Sequence, residues 1–232
     1  MDWTAVRAGA LRRFTRRDSE LWLVGTIHGN HWEQDVYGID DVAAALINLE
    51  ADLVMIEARA EEIAAGNETD GPPEMHVVRL LAAERGTLVA GIDHWEVTPD
   101  SRPLTTSESR DGEITRRILD ALEGAASRRA AVFIGYRHLA ALDELLSGRG
   151  WSPSRVAPST TAAVFAHDGA VPMPAGLTDV FIERAGREAA AAERYRSLNP
   201  AHSAQARENA VYFAALARRI GSPSPDLGHS TR

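Results

Sequence analysis

From about residue 20 to residue 166, short apolar runs alternate with segments whose apolar residues recur every three or four positions. Leu21 to Thr26 is too short for a helix and is punctuated by Gly25, which predicts a buried strand. Leu11 to Thr15, followed by the cluster Arg16-Arg17-Asp18-Ser19, predicts a hairpin into that strand. After a polar loop, His28 to Gly38, the residues Ile39, Val42, Leu46 and Leu49 keep helical spacing, with Asp40 placed to cap. A second strand, Leu53 to Ile56, ends in Glu57, and Gly71-Pro72-Pro73 makes a break. Met75, Val78, Leu81 and Ala82 mark a helix stopped by Gly86, and Leu88 to Ile92 is a third strand. A Ser-, Thr-, Pro- and Asp-rich stretch, Thr98 to Gly112, reads as a loop. Ile114, Ile118 and Leu122 then form a helix, Ala131 to Ile134 a fourth strand, and Leu139, Leu142 and Leu146 a helix stopped at Gly148. Beyond Trp151 the pattern loosens. A strand is expected over Thr161 to Ala166, a loop over Val171 to Ala175, and two alanine-rich helices over Thr178 to Ser197 and Ser203 to Ile220.

Strand and helix in alternation, with strands apolar throughout, predict an α/β fold with a mostly parallel central sheet flanked by helices and a C-terminal helical extension. The expected division is a core over residues 1–157, the extension over 158–220 and a disordered tail over 221–232. No internal repeat is present.

Composition removes several chemistries. The 232 residues include no cysteine, which excludes thiol nucleophiles, thiolate metal sites and disulfides. Lysine is also absent, every one of the 25 basic residues being arginine, which excludes Schiff-base chemistry and a P-loop lysine. A net charge of −8 argues against nucleic acid as a partner. No apolar stretch is long enough for a membrane helix, and the N-terminal residues lack the apolar segment of a signal peptide, so a cytoplasmic protein without a membrane partner is expected. There is no G-x-S-x-G elbow and no glycine-rich phosphate loop.

In open parallel sheets ligands bind beyond the carboxyl ends of the strands. Here those ends read Gly25-Thr26-Ile27-His28, Glu57-Ala58-Arg59, Asp93-His94 and Gly135-Tyr136-Arg137-His138. All four place a metal-competent or acid–base side chain on one edge. Imidazole and carboxylate together suit a borderline divalent ion such as manganese, zinc or cobalt. The glycine three residues before each histidine is expected to turn the backbone sharply off its strand and aim the ring into the cleft.

The paired G-x-x-H motifs carry a resemblance. Leu23-Val24-Gly25-Thr26-Ile27-His28-Gly29 resembles the opening strand of the TraB/GumN/Tiki superfamily. Ala51-Asp52-Leu53-Val54-Met55-Ile56-Glu57 is similar to its following strand, and Gly91 to Thr98 to the D-x-x-x-x-V-T segment of the TraB-like branch, with one residue fewer between Asp93 and Val97. Phe133 to Leu139, then a helix and Gly148-Arg149-Gly150-Trp151, resembles the second G-x-x-H and its continuation. The match spans roughly residues 12 to 156. It implies a fold shared distantly with erythromycin esterase and the haem-binding ChaN proteins. In the Tiki branch it implies a divalent-metal peptidase using His28, His138 and Glu57, with Asp93 a fourth candidate. The nearest counterpart to an Arg-x-x-x-(Met/Ala) signature that relatives carry before the second G-x-x-H is Arg207-Glu208-Asn209-Ala210 in the last helix, one intervening residue shorter. That helix would then fold back over the cleft or reach a partner subunit.

The expectation is a divalent-metal-dependent hydrolase of peptide or ester bonds. His28, His138 and Glu57 would hold the metal, with Glu57 a ligand or the general base. Asp93 or His94 would orient water, and His31, Arg59, Arg137 and Arg207 would meet a small-molecule or peptide substrate. The alternative is a non-catalytic module that binds metal, haem or a peptide on the same fold. Arg59 can instead be a simple ion pair, and His31, Trp32 and Glu33 a polar surface loop. Trp22 and Trp95 read as core, His76 as a helix-surface residue, and Arg128-Arg129 as a solvated helix end. The alanine face of the helix over Glu183 to Tyr195 suggests a homodimer through the C-terminal helices.

Overall fold

The computed structural model describes residues 1–67, 69–94 and 108–221. A short helix, α1 (Trp3–Ala8), precedes the hairpin of β1 (Leu11–Arg16) and β2 (Ser19–Thr26). A 3₁₀ turn (His28–Trp32) leads to α2 (Ile39–Leu49), β3 (Leu53–Arg59), α3 (Ala60–Ala64), α4 (Pro73–Glu84) and β4 (Leu88–Asp93). Then follow α5 (Glu108–Ala125), β5 (Arg129–Gly135), a second 3₁₀ turn (Tyr136–His138) and α6 (Leu139–Gly148). The chain closes with β6 (Ser152–Ser154), α7 (Pro158–Val164), α8 (Leu177–Arg194) and α9 (Pro200–Gly221).

One six-stranded sheet runs in the order β4-β3-β5-β2-β1-β6. The first four strands in that order are parallel, while β1 runs antiparallel to both its neighbours. Because successive side chains point to opposite faces, an unbroken apolar strand feeds two cores at once. Trp22 and Val24 face one core with Val54, Ile56 and Phe133, under α2, α4, α8 and α9. Leu21 and Leu23 face the other with Met55, Val132 and Ile134, under α5 and α6. The α/β architecture with a mostly parallel sheet and a C-terminal pair of helices is therefore as the sequence pattern predicts. Among the described residues no helix is long and apolar enough to cross a membrane.

Several local expectations are corrected. Thr161 to Ala166 is not a strand: Pro158, in the first turn of α7, preorganises a helix that runs to Val164. Asp40 does not cap α2. The Asp41 carboxylate takes the Gly38 N–H at 2.9 Å, and Asp40 instead takes the N–H of Val171 at 2.8 Å. The stretch read as a loop to Gly112 is already helical from Glu108, and residues 98–107 lie outside the described residues. Arg128 and Arg129 lead into a strand rather than ending a helix. His76 is buried against Phe181 and Phe213, not on the surface, because α8 and α9 cover that side of α4. Trp22 is core, as expected, whereas Trp95 and the 222–232 tail lie outside the described residues.

Candidate functional site

Three backbone features aim the strand-end side chains. In β3 the register slips between Ile56, opposite Gly91, and Arg59, opposite Asp93, so β3 holds one extra residue there. That bulge takes Glu57 out of the regular ladder, as bulges near functional sites commonly do. His28 itself adopts a left-handed backbone (φ 52°), a conformation most residues avoid without support from their surroundings. The motif glycines act through space rather than as turns. A Cβ at Gly25 would stand 2.6 Å from Leu139 Cδ1, and one at Gly135 would stand 2.8 Å from His28 Nε2. Neither glycine has a positive φ, so the expectation that they bend the chain is replaced by one of close approach.

His28, Glu57, Asp93 and His138 belong to one cluster of hydrogen bonds and ion-pair contacts at the carboxyl edge of the sheet. Glu57 is its centre. One carboxylate oxygen accepts the Gly135 N–H at 2.6 Å, and His28 Nε2 lies 4.0 Å from that oxygen. The other accepts Arg110 Nη2 at 2.9 Å, with His138 Nε2 at 3.5 Å. Arg110 also grips Asp93 with two bonds, 2.9 and 2.8 Å. Behind the imidazoles stand two more carboxylates: His28 Nδ1 meets Glu74 at 3.0 Å, and His138 Nδ1 meets Asp111. Thr26 Oγ1 donates to the same Glu74 oxygen at 2.6 Å. The cluster is sealed on one side and open on the other: the His138 side chain is 3% exposed, that of His28 45%.

Four carboxylates and one guanidinium leave this cluster three negative charges in excess when both imidazoles are neutral. Its titration follows. Burial works against the charged imidazole of His28, but the Glu74 and Glu57 carboxylates prevail and raise its pKa to about 9. His138 is raised in the same way, burial being outweighed by its bond to Glu57 and by Asp111. Burial would raise Glu57, yet the hydrogen bond to His138 and the charges of His28 and Arg110 hold it down at about 2. Glu74 is likewise lowered, burial yielding to His28.

The remaining sequence candidates fall elsewhere. Both nitrogens of buried His31 are spent on backbone: Nε2 accepts the Ile27 N–H at 2.9 Å and Nδ1 donates to the Tyr37 carbonyl at 2.8 Å. Its ring shapes the loop and leaves no lone pair for a ligand. Trp32 is buried too, so this stretch is not a polar surface loop. The bulge breaks the period of two that would align Arg59 with Glu57, and Arg59 grips Asp70 instead, at 2.7 Å. His94 is exposed beside Arg117, 3.1 Å from Nδ1 to Nη2. Arg137 is exposed next to His138, and Arg207 bonds Ser203 on its own helix at 2.9 Å. The last helix does fold back toward the site, through other residues: Tyr212 donates to the Gly29 carbonyl at 3.0 Å and Arg219 to the Trp32 carbonyl.

Glu74, Arg110 and Asp111 were not singled out from the sequence. An acidic residue following Pro73 in a first helical turn is indistinguishable from an ordinary helix-start carboxylate. Arg110 and Asp111 lie in the stretch read as a loop.

The donor set fits a divalent ion by chemistry, two imidazole nitrogens and a carboxylate with each histidine backed by a carboxylate. Two ligands about 2.1 Å from a tetrahedral ion stand about 3.4 Å apart. The separation of His138 Nε2 from Glu57 Oε1, 3.5 Å, matches, and that of His28 Nε2 from the other oxygen, Oε2, 4.0 Å, is about half an ångström wide. As placed, no three His, Asp or Glu side chains among the described residues form a finished metal-binding group. Compared with known protein families, curated proteins and solved structures, the chain has no match.

Proposed function

We infer that this chain is a divalent-metal-dependent hydrolase of the TraB/GumN/Tiki type, acting on a peptide or ester carbonyl. The observation that carries the reading is that both motif histidines turn Nε2 toward one carboxylate, Glu57, while a buried carboxylate engages each Nδ1. His28, His138 and Glu57 would hold the ion, whose chemistry is to acidify a bound water toward a pKa of about 7 and to polarise a carbonyl. The Gly135 N–H and Arg110 each hold one Glu57 oxygen and fix the carboxylate in place, so Glu57 is assigned as ligand rather than general base. Arg110 fixes the Glu57 carboxylate and ties it to Asp93; Asp93 therefore acts through Arg110. The exposed ring of His28 marks the side from which substrate arrives.

One observation favours the binding-module reading. Both Asp93 oxygens are held by Arg110 and both Glu57 oxygens are engaged, so neither carboxylate is left as an evident base for water. The deciding experiment loads the protein with Mn²⁺, Zn²⁺ or Co²⁺ and follows cleavage of peptide and ester libraries, with His28→Ala and His138→Ala as controls. Chelator-sensitive cleavage lost in both variants supports the hydrolase. Stoichiometric metal without cleavage moves the assignment to the binding module, and no metal uptake removes both metal readings.

A further inference from the structure

The two G-x-x-H motifs differ in what stands behind their histidines. Glu74 lies in the first turn of α4 and is fully buried, and one of its oxygens receives both His28 Nδ1 and Thr26 Oγ1. Its other oxygen, Oε2, is buried without a hydrogen-bond partner among the described residues. Asp111 lies in the first turn of α5, on the opposite face of the sheet, and is buried against His138 Nδ1. Two unrelated helices thus each supply one carboxylate to one imidazole. A buried carboxylate without a charged or donating neighbour is costly, so each is sustained by the ring it faces.

We propose that Glu74 and Asp111 are positioning residues for metal binding, each fixing the Nδ1–H tautomer of its own histidine and presenting Nε2 as the donor atom. The assignment rests on the metal reading of the site. An Nδ1–H held by a carboxylate leaves the Nε2 lone pair free and makes the ring a stronger donor. The two pairs are unequal. His138–Asp111 is sealed, with side chains 3% and 8% exposed, and is the fixed half of the site. His28–Glu74 carries a ring that is 45% exposed on a left-handed backbone, and is the half that must close on the ion.

The test titrates Zn²⁺ into purified full-length protein against a fluorescent chelator, and records the visible spectrum of the Co²⁺ form. Wild type, Glu74→Gln, Asp111→Asn and His28→Ala are compared. The near-isosteric amides keep one carbonyl acceptor for Nδ1–H and remove the charge, and thermal melts without metal report folding separately. Expected are one equivalent of Zn²⁺ in wild type, about 10- to 100-fold weaker binding in each amide variant, an altered Co²⁺ spectrum, and loss in His28→Ala. Wild-type uptake that both amide variants reproduce within about twofold, with an unchanged Co²⁺ spectrum, overturns this proposal alone. Absence of uptake by wild type overturns the metal reading and this proposal with it.

Discussion

The Cα of Gly135 and the ring of His28 fit together with no room for a methyl group: a Cβ at position 135 would stand 2.8 Å from Nε2 and 2.9 Å from Cε1 of that ring. The same Cβ would lie 3.2 Å from a Glu57 oxygen that the Gly135 N–H holds. The reciprocal holds for the other motif, since Gly25 makes room for Tyr136 and Leu139 beside His138. Each motif's glycine accommodates the residues of the other.

Gly135→Ala is therefore expected to fold and to lose its site. His28 is half exposed and can move aside, so the stability cost should stay at about 1–3 kcal/mol, while Zn²⁺ affinity falls by at least about tenfold. Denaturant unfolding beside metal titration checks both; a variant with wild-type metal affinity would show that His28 has another place to stand.

Metal uptake should compete with protons. With His28 titrating at about 9, its ring is mainly protonated at neutral pH and must release a proton to bind, and the raised His138 adds to the competition. Apparent affinity should climb by about tenfold per pH unit for each proton displaced and level off near pH 9. Calorimetry in buffers of different ionisation enthalpy counts the protons. A flat profile from pH 7 to 9 counts against the exchange.

Stability should move with pH in two windows of opposite sense. His28 rises from 6.5 unfolded to about 9 folded, so its contribution is complete below 6.5 and is lost as pH climbs through 9. Glu57 falls from 4.5 to about 2, so its contribution is complete above 4.5 and is lost as pH falls through 2. Urea midpoints of metal-free wild type between pH 6 and 9.5 should decline, and His28→Ala should remove much of that slope.

Arg110→Ala strips the guanidinium from two buried carboxylates, Glu57 and Asp93, and is expected to cost about 3–5 kcal/mol. Arg110→Lys should recover only part of this, because an ammonium cannot make the two-bond grip on Asp93. Equal stabilities for lysine and wild type would mean that charge alone matters there.

Tyr212→Phe removes the bond that ties α9 to the carbonyl beside His28. A loss of about 1 kcal/mol is expected, with faster amide exchange over residues 28 to 32 and little change elsewhere. Exchange unchanged in that stretch would assign the tether to packing of the aromatic ring.

The strands were legible because the middles of β2, β3 and β5 are buried on both faces and so carry unbroken apolar runs, a signal that does not depend on partners. The acidic and imidazole residues at their ends were legible for the same reason, each standing where an apolar run stops. What could not be read was the one-residue bulge that redirects Glu57 and sends Arg59 to Asp70, since it exists only in the pairing of β3 with β4. Glu74 and Asp111 were hidden differently. Their helices bring them to the histidines from opposite faces of the sheet, and sequence distance carries no trace of that. His76 looked like a surface residue because α8 and α9, which cover it, come from the far end of the chain.

Chain order and spatial order also disagree at the centre of the sheet. β2 and β3 come early, yet β5, made much later, lies between them and supplies the Gly135 N–H that holds Glu57. During synthesis from the N-terminus the two early strands exist long before the strand that must separate them. Direct pairing of β2 with β3 would be a ready wrong turn, and it would deny His28 and Glu57 the gap in which they meet. Entry of β5 between them completes the site, so the His28–Glu57 pair is expected to form only with that step, which time-resolved refolding can follow.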